Sequence, residues 1–124
     1  MARTAFTPTA VTAHGTVLAA PAAVDAANGN SFTNPTGRAL IEITNGAGAP
    51  ITVTFTTSAN YTVTGGTTSV TYAVADDAQT VTNGTTKVFG PFDRTLYNDG
   101  SGNVLVDYSS GTTITARVLE LGLA

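Results

Sequence analysis

Few side chains in this sequence carry reactive chemistry, and their spacing decides what each can do. His14 is the only His, and there is no Cys. A zinc site needs several N or S ligands, and a catalytic dyad needs a partnered imidazole, so His14 builds neither. Asp76 and Asp77 are adjacent carboxylates. Neighbours in an extended chain point to opposite faces, which keeps this pair from sharing one substrate, and Asp is an ordinary turn residue. Asn98-Asp99-Gly100-Ser101-Gly102-Asn103 is as rich in oxygen as a calcium loop. It lacks the alternating acidic ligands and the closing Glu of a helix–loop–helix calcium site, and reads as a turn. Gly65-Gly66 and Gly100-Ser101-Gly102 are followed by no Gly-Lys-Ser/Thr and no helix, so they are not phosphate loops. No Gly-x-Ser-x-Gly occurs. These residues predict a binding or reinforcing protein, not an enzyme, with no cofactor and no metal.

The bulk numbers narrow the class further. A chain of 124 residues is one domain long, and buries a working core without staples. Net charge is -3 with a pI near 4.7, and the five basic residues are scattered, which argues against nucleic acid. Charged residues make up only 10%, against roughly 25% in an average soluble domain. Thr, Ser and Asn must solvate the surface instead. Thr is about a fifth of the chain, and β-branched side chains favour strands. No apolar run approaches the ~18 residues of a membrane-crossing helix. After Met1-Ala2-Arg3, no continuous apolar stretch forms, so no signal peptide is expected.

Strand and turn alternate along the chain. Residues 1–29 are rich in Ala, Thr and Pro, and are expected to form an extended arm or edge segment. Within them Val11, Val17 and Leu18 suggest one short strand. The sandwich domain is placed at 30–124. Ile41 and Ile43 alternate with Glu42 and Thr44, and Ile51, Val53 and Phe55 alternate with Thr52, Thr54 and Thr56. The turn residues Asn45-Gly46-Ala47-Gly48-Ala49-Pro50 between them predict a hairpin. Short strands are expected at 61–64, 69–74, 79–82 and 86–89. Val104–Tyr108 and Thr113–Leu121 flank Ser109-Ser110-Gly111 and predict a terminal hairpin. No segment shows a helical stripe. Turn signals every ~8–12 residues predict an all-β fold. The expected architecture is a single antiparallel β-sandwich, jelly-roll or immunoglobulin-like, or a small barrel, with an extended N-terminal arm.

Phe89-Gly90-Pro91-Phe92 is the most unusual local feature. Pro lacks the N–H that a central strand needs, so this break lies at a corner or an edge. Either it plugs the core, or it presents an apolar knob to another subunit.

From Asn30 onward the chain resembles small β-rich tailed-bacteriophage virion proteins that act as head decoration or capsid cement proteins. The residues behind this are Gly29-Asn30-Ser31-Phe32-Thr33-Asn34, Arg38–Gly46 and Ala49–Thr54. Phe89–Phe92, Leu96–Gly100 and Val104–Ser109 add to it. The resemblance implies binding to the outside of an icosahedral shell, reinforcing contacts between major capsid protein subunits, with self-association around a symmetry axis. It implies a location on the virion surface, after synthesis in the host cytoplasm, and neither a nucleic-acid nor a membrane partner. The expected contact residues are Phe6, Val11 and Leu18 in the arm, with Phe89, Pro91 and Phe92. Two other roles fit a small β-rich chain: a head–tail connector or tail component, and a carbohydrate- or receptor-binding sandwich. The absence of Trp weighs against the sugar site.

Overall fold

A computed structural model describes residues 2–57 and 60–122 of the chain. Among the described residues, twelve strands and one helical turn follow one another: β1 (Thr4–Phe6), β2 (Thr9–Val11), β3 (Ala22–Ala23), β4 (Asn30–Thr33), β5 (Ala39–Asn45), β6 (Ile51–Phe55), β7 (Asn60–Gly65), β8 (Thr68–Ala73), β9 (Asp77–Val81), β10 (Thr86–Phe89), α1 (Arg94–Tyr97), β11 (Asn103–Tyr108) and β12 (Ile114–Leu121). They form two five-stranded sheets and a separate two-stranded ribbon. One sheet runs β1-β4-β11-β6-β9. The other runs β10-β5-β12-β2, with β3 also paired to β12.

Period-two alternation builds the core. Ala39, Ile41 and Ile43 of β5 point inward with Ile114, Ala116 and Val118 of β12. They meet Ile51, Val53 and Phe55 of β6 and Val104, Val106 and Tyr108 of β11 from the other sheet. Alternate residues of a strand share one face, so each sheet contributes one apolar face to a common interior. Phe32, Val81 and Phe92 complete it.

The result is a sandwich-like pair of packed sheets, not a barrel, and the sheets are mixed, not antiparallel throughout. β1 runs parallel to β4, and β2 runs parallel to β12. Both parallel pairings come from residues ahead of Asn30.

Both predicted hairpins are corrected. β5 and β6 lie in different sheets, as do β11 and β12. The turns between them are arches that cross the sandwich. Alternation demands one buried face of each strand, and that demand is met equally by a neighbour in the same sheet or by one across the core. β6 instead pairs antiparallel with β9, from Ile51 opposite Val81 to Phe55 opposite Asp77. Val17 and Leu18 form no strand and are exposed. The unexpected helical turn at Arg94 starts on Asp93, whose carboxylate accepts from the amides of Thr95 and Leu96.

Among the residues whose burial is described, three asparagines are fully buried and fix the loops: Asn30, Asn34 and Asn45. The Asn45 amide donates to the carbonyls of Ala49 (2.9 Å) and Val81 (3.0 Å), while its oxygen accepts from the Ala47 N–H (2.9 Å). Asn34 ties three segments together: its amide reaches Phe92 O and Asn98 Oδ1, and its oxygen takes the Ala39 N–H. Asn30 donates to Thr4 O and accepts from Asp25 N. A short amide side chain satisfies loop groups that no strand partner can reach.

Candidate partner-contact surfaces

The two sheets are open along both lateral sides, and the candidate contact residues divide between these sides. On one side lie the outermost strands β9 and β10, joined by residues 82–85. Lys87 on β10 reaches across to β9, donating to the Thr80 carbonyl at 3.1 Å, with its ammonium 5.2 Å from the centre of the Phe89 ring. Phe89, Gly90, Pro91 and Phe92 leave β10 here and turn inward. Gly90 holds φ +115, and a side chain there would meet the Ala39 carbonyl at 2.7 Å, so only glycine fits this corner. The Gly90–Pro91 peptide is cis.

Phe92 is 3% exposed and lies within the aromatic cluster, 5.6 Å from Phe32, 4.9 Å from Phe55 and 5.2 Å from Tyr97 between ring centres. It is core, and offers no surface to a partner. Phe89 is half-buried, its ring tilted against Phe55 with centres 5.1 Å apart, while Pro91 is exposed. Between them and β9 runs a cleft of about 240 Å³, walled by Asp77, Gln79, Phe89, Pro91 and Tyr97. In it Asp77 accepts from Gln79 Nε2 at 2.7 Å and from the Tyr97 hydroxyl at 3.1 Å. Burial, and then the Asp77 carboxylate, raise the Tyr97 phenol above its ordinary pKa.

The opposite side is lined by the N-terminal strands. Phe6 stands opposite Phe32 in the β1–β4 ladder and packs on the rim of the core. Val11 pairs with Leu121, and its carbonyl accepts from Gly122 N at 2.8 Å. Leu18 is 37% exposed and Val17 is 94% exposed, both in the connection between β2 and β3. A cleft of about 200 Å³ separates Phe6 and Thr9 from Ala22, Ala116 and Val118. Phe6, Val11 and Leu18 therefore belong to one lateral side, and Phe89 and Pro91 to the other.

Asp76 and Asp99 are engaged in hydrogen bonds. His14 sits exposed in a turn. Asp76 accepts from Thr57 N, and Asp99 accepts from the amides of Ser101 and Asn103, closing its own loop. Among the described residues no three of His, Asp and Glu converge. An open polar hollow of about 760 Å³ lies over Thr36, Asp93, Arg94 and Asp99. The three buried asparagines were not among the sequence candidates. Their signal is an Asn beside Gly or Pro, as in Asn45-Gly46 and Asn34-Pro35. No family model, curated protein or solved structure matches this chain.

Proposed function

We propose that this chain is a structural virion protein that binds the outside of an icosahedral phage capsid and reinforces contacts between major capsid protein subunits. The observation that carries the reading is the side where β9 and β10 run together as the last strands of their sheets, next to the exposed Pro91. An outermost strand keeps half of its backbone N–H and C=O groups unpaired within its sheet. A neighbouring subunit's extended segment adds there by main-chain hydrogen bonding, with little demand on side-chain type. The sequence resemblance described above points the same way. So does the exposed residue set at β10: Thr86, Lys87 and Val88 all face solvent, and Val88 is 54% exposed. On this reading Phe89 and Pro91 rim the contact, Phe92 supports it from within, and Phe6, Val11 and Leu18 mark a second contact across the sandwich.

The experiment is the copy number in purified virions, counted against the major capsid protein by quantitative mass spectrometry. Hundreds of copies in simple ratio to the capsid protein support the proposal. A single ring's worth moves the protein to a connector or tail, and none refutes a virion role.

A further inference from the structure

Asn-Gly is the peptide unit most prone to spontaneous deamidation, because glycine leaves its own amide nitrogen unhindered beside the asparagine side chain. The chain holds three such pairs: Asn28-Gly29, Asn45-Gly46 and Asn83-Gly84. The reaction needs a side chain free to bring its Cγ onto the next backbone nitrogen. It also needs an N–H not held elsewhere, and room for a five-membered ring.

The fold withholds these conditions from two of the pairs. Asn45 is fully buried, its side chain is fixed by hydrogen bonds to Ala47, Ala49 and Val81, and Gly46 N donates to Thr113 O at 2.9 Å. Asn28 is half-buried, its Nδ2 lies 3.3 Å from Asp25 Oδ2, and Gly29 N donates to Asp25 O at 2.7 Å. Both glycines are hemmed in as well. A Cβ at Gly29 would lie 2.5 Å from Asp107 Oδ1, and one at Gly46 would lie 3.0 Å from Thr113 O.

Asn83 differs. It is exposed in the turn from β9 to β10, and among the described residues its side chain makes no hydrogen bond. Gly84 has open space where a Cβ would point. The restraints left are two backbone bonds of the turn: Gly84 N donates to Asn45 O at 2.8 Å, and Thr85 N donates to Thr82 O at 3.2 Å. Bonds in an exposed turn open locally, without unfolding the core.

We infer that Asn83 is a modification site, where the folded chain deamidates through a succinimide while Asn28 and Asn45 stay intact. Hydroxide takes the Gly84 amide proton, and the nitrogen attacks Asn83 Cγ. The N–Cγ bond forms and the Cγ–Nδ2 bond breaks. Nδ2 leaves as ammonia with a proton from water, which restores the hydroxide. Water then opens the ring, at Cγ to give aspartate or at the main-chain carbonyl to give isoaspartate. Either product adds one negative charge to a chain of formal net charge -3, and isoaspartate also adds a methylene to the backbone joining β9 to β10. The inference concerns the free chain and does not rest on shell binding.

Incubation of the intact protein at about pH 8.5 and 37 °C, followed by ion exchange and peptide mapping for isoaspartate, tests it. The expected result is an acidic species whose change maps to position 83, formed at least tenfold faster than change at 28 or 45. In urea, where no restraint remains, the three positions react within about threefold of one another, and position 83 faster than in the folded chain. Asn83→Gln removes the acidic species, because the longer side chain closes a six-membered ring far more slowly. Change at 28 or 45 keeping pace with 83 in the folded protein overturns the inference. So does a folded chain in which position 83 stays intact while it reacts in urea, or an acidic species that survives Asn83→Gln.

Discussion

Arg3 and Asp107 meet in a two-point ion pair, Nη1 to Oδ1 at 2.9 Å and Nη2 to Oδ2 at 3.1 Å. The same Arg3 Nη1 also donates to the Val106 carbonyl at 3.0 Å. One residue near the start of the chain thus fastens β1 to β11, which lies two strands in from it. Gly29 makes room for this. It holds φ +79, and a Cβ there would collide with the guanidinium and would lie 2.5 Å from Asp107 Oδ1.

Arg3→Ala and Asp107→Ala are each expected to destabilise the fold by about 1–2 kcal/mol, the range for a partly exposed but bidentate, hydrogen-bonded pair. The double variant costs little more than the larger single one, because both remove the same interaction. Urea denaturation of all four proteins measures the cycle. Faster amide exchange in Thr4–Phe6 than in β11 locates the loss, and strict additivity contradicts the coupling.

Asn45→Ala is expected to be among the most damaging single changes outside the apolar core, at about 2–4 kcal/mol. It leaves two carbonyls and one amide in the Asn45–Val81 corner without partners, and a buried unsatisfied group costs far more than a hydrogen bond contributes. Thermal unfolding compared with Asn83→Ala, at an exposed turn, checks it.

Tyr108 behaves in the opposite way. Its ring is buried, and its hydroxyl has no hydrogen-bond partner. Tyr108→Phe should leave stability unchanged or raise it by up to about 1 kcal/mol. Burial first, then the neighbouring Asp107 charge, push this phenol well above its ordinary range. A pKa raised on folding contributes stability that is complete below the free-tyrosine value of about 10, and is lost as pH climbs from there through the folded value. Absorbance at 295 nm should show Tyr108 ionising only as the protein unfolds, and Tyr108→Phe should move alkaline unfolding to higher pH.

Acid should loosen the segment ahead of Asn30. The Thr4 hydroxyl (2.7 Å) and then the Asn28 N–H lower the Asp25 pKa. A pKa lowered on folding contributes stability that is full above the free-aspartate value of about 3.9, and is lost as pH falls below it through the folded value. Proteolysis at 2–29 should therefore rise below about pH 4, and Asp25→Asn should remove that pH step. An unchanged step in Asp25→Asn would assign it to another carboxylate.

Alternation alone identified most of the strands. Ile41 and Ile43, Ile51 to Phe55, and Val104 to Tyr108 all bury the residues that period two selects. The corner at Phe89–Phe92 was legible too, because Pro91 lacks an N–H, although only the packing settles that Phe92 faces the core while Pro91 stays outside. The candidate surfaces were legible as apolar residues in unusual settings, but not as two separate sides.

The all-β class and the lack of charge follow from the amino acids themselves, since propensity and alternation are local properties. The pairing of strands is not local. An inward-facing Ile43 or Val53 is equally content with a neighbour in its own sheet or across the core, so β5–β6 and β11–β12 looked like hairpins and are arches. Only the folded chain brings β6 to β9, Arg3 to Asp107, and Asn45 to the Val81 carbonyl. Each of these contacts joins residues far apart in sequence, and which of them form is decided by which combination buries the most apolar surface with the fewest polar groups unpaired.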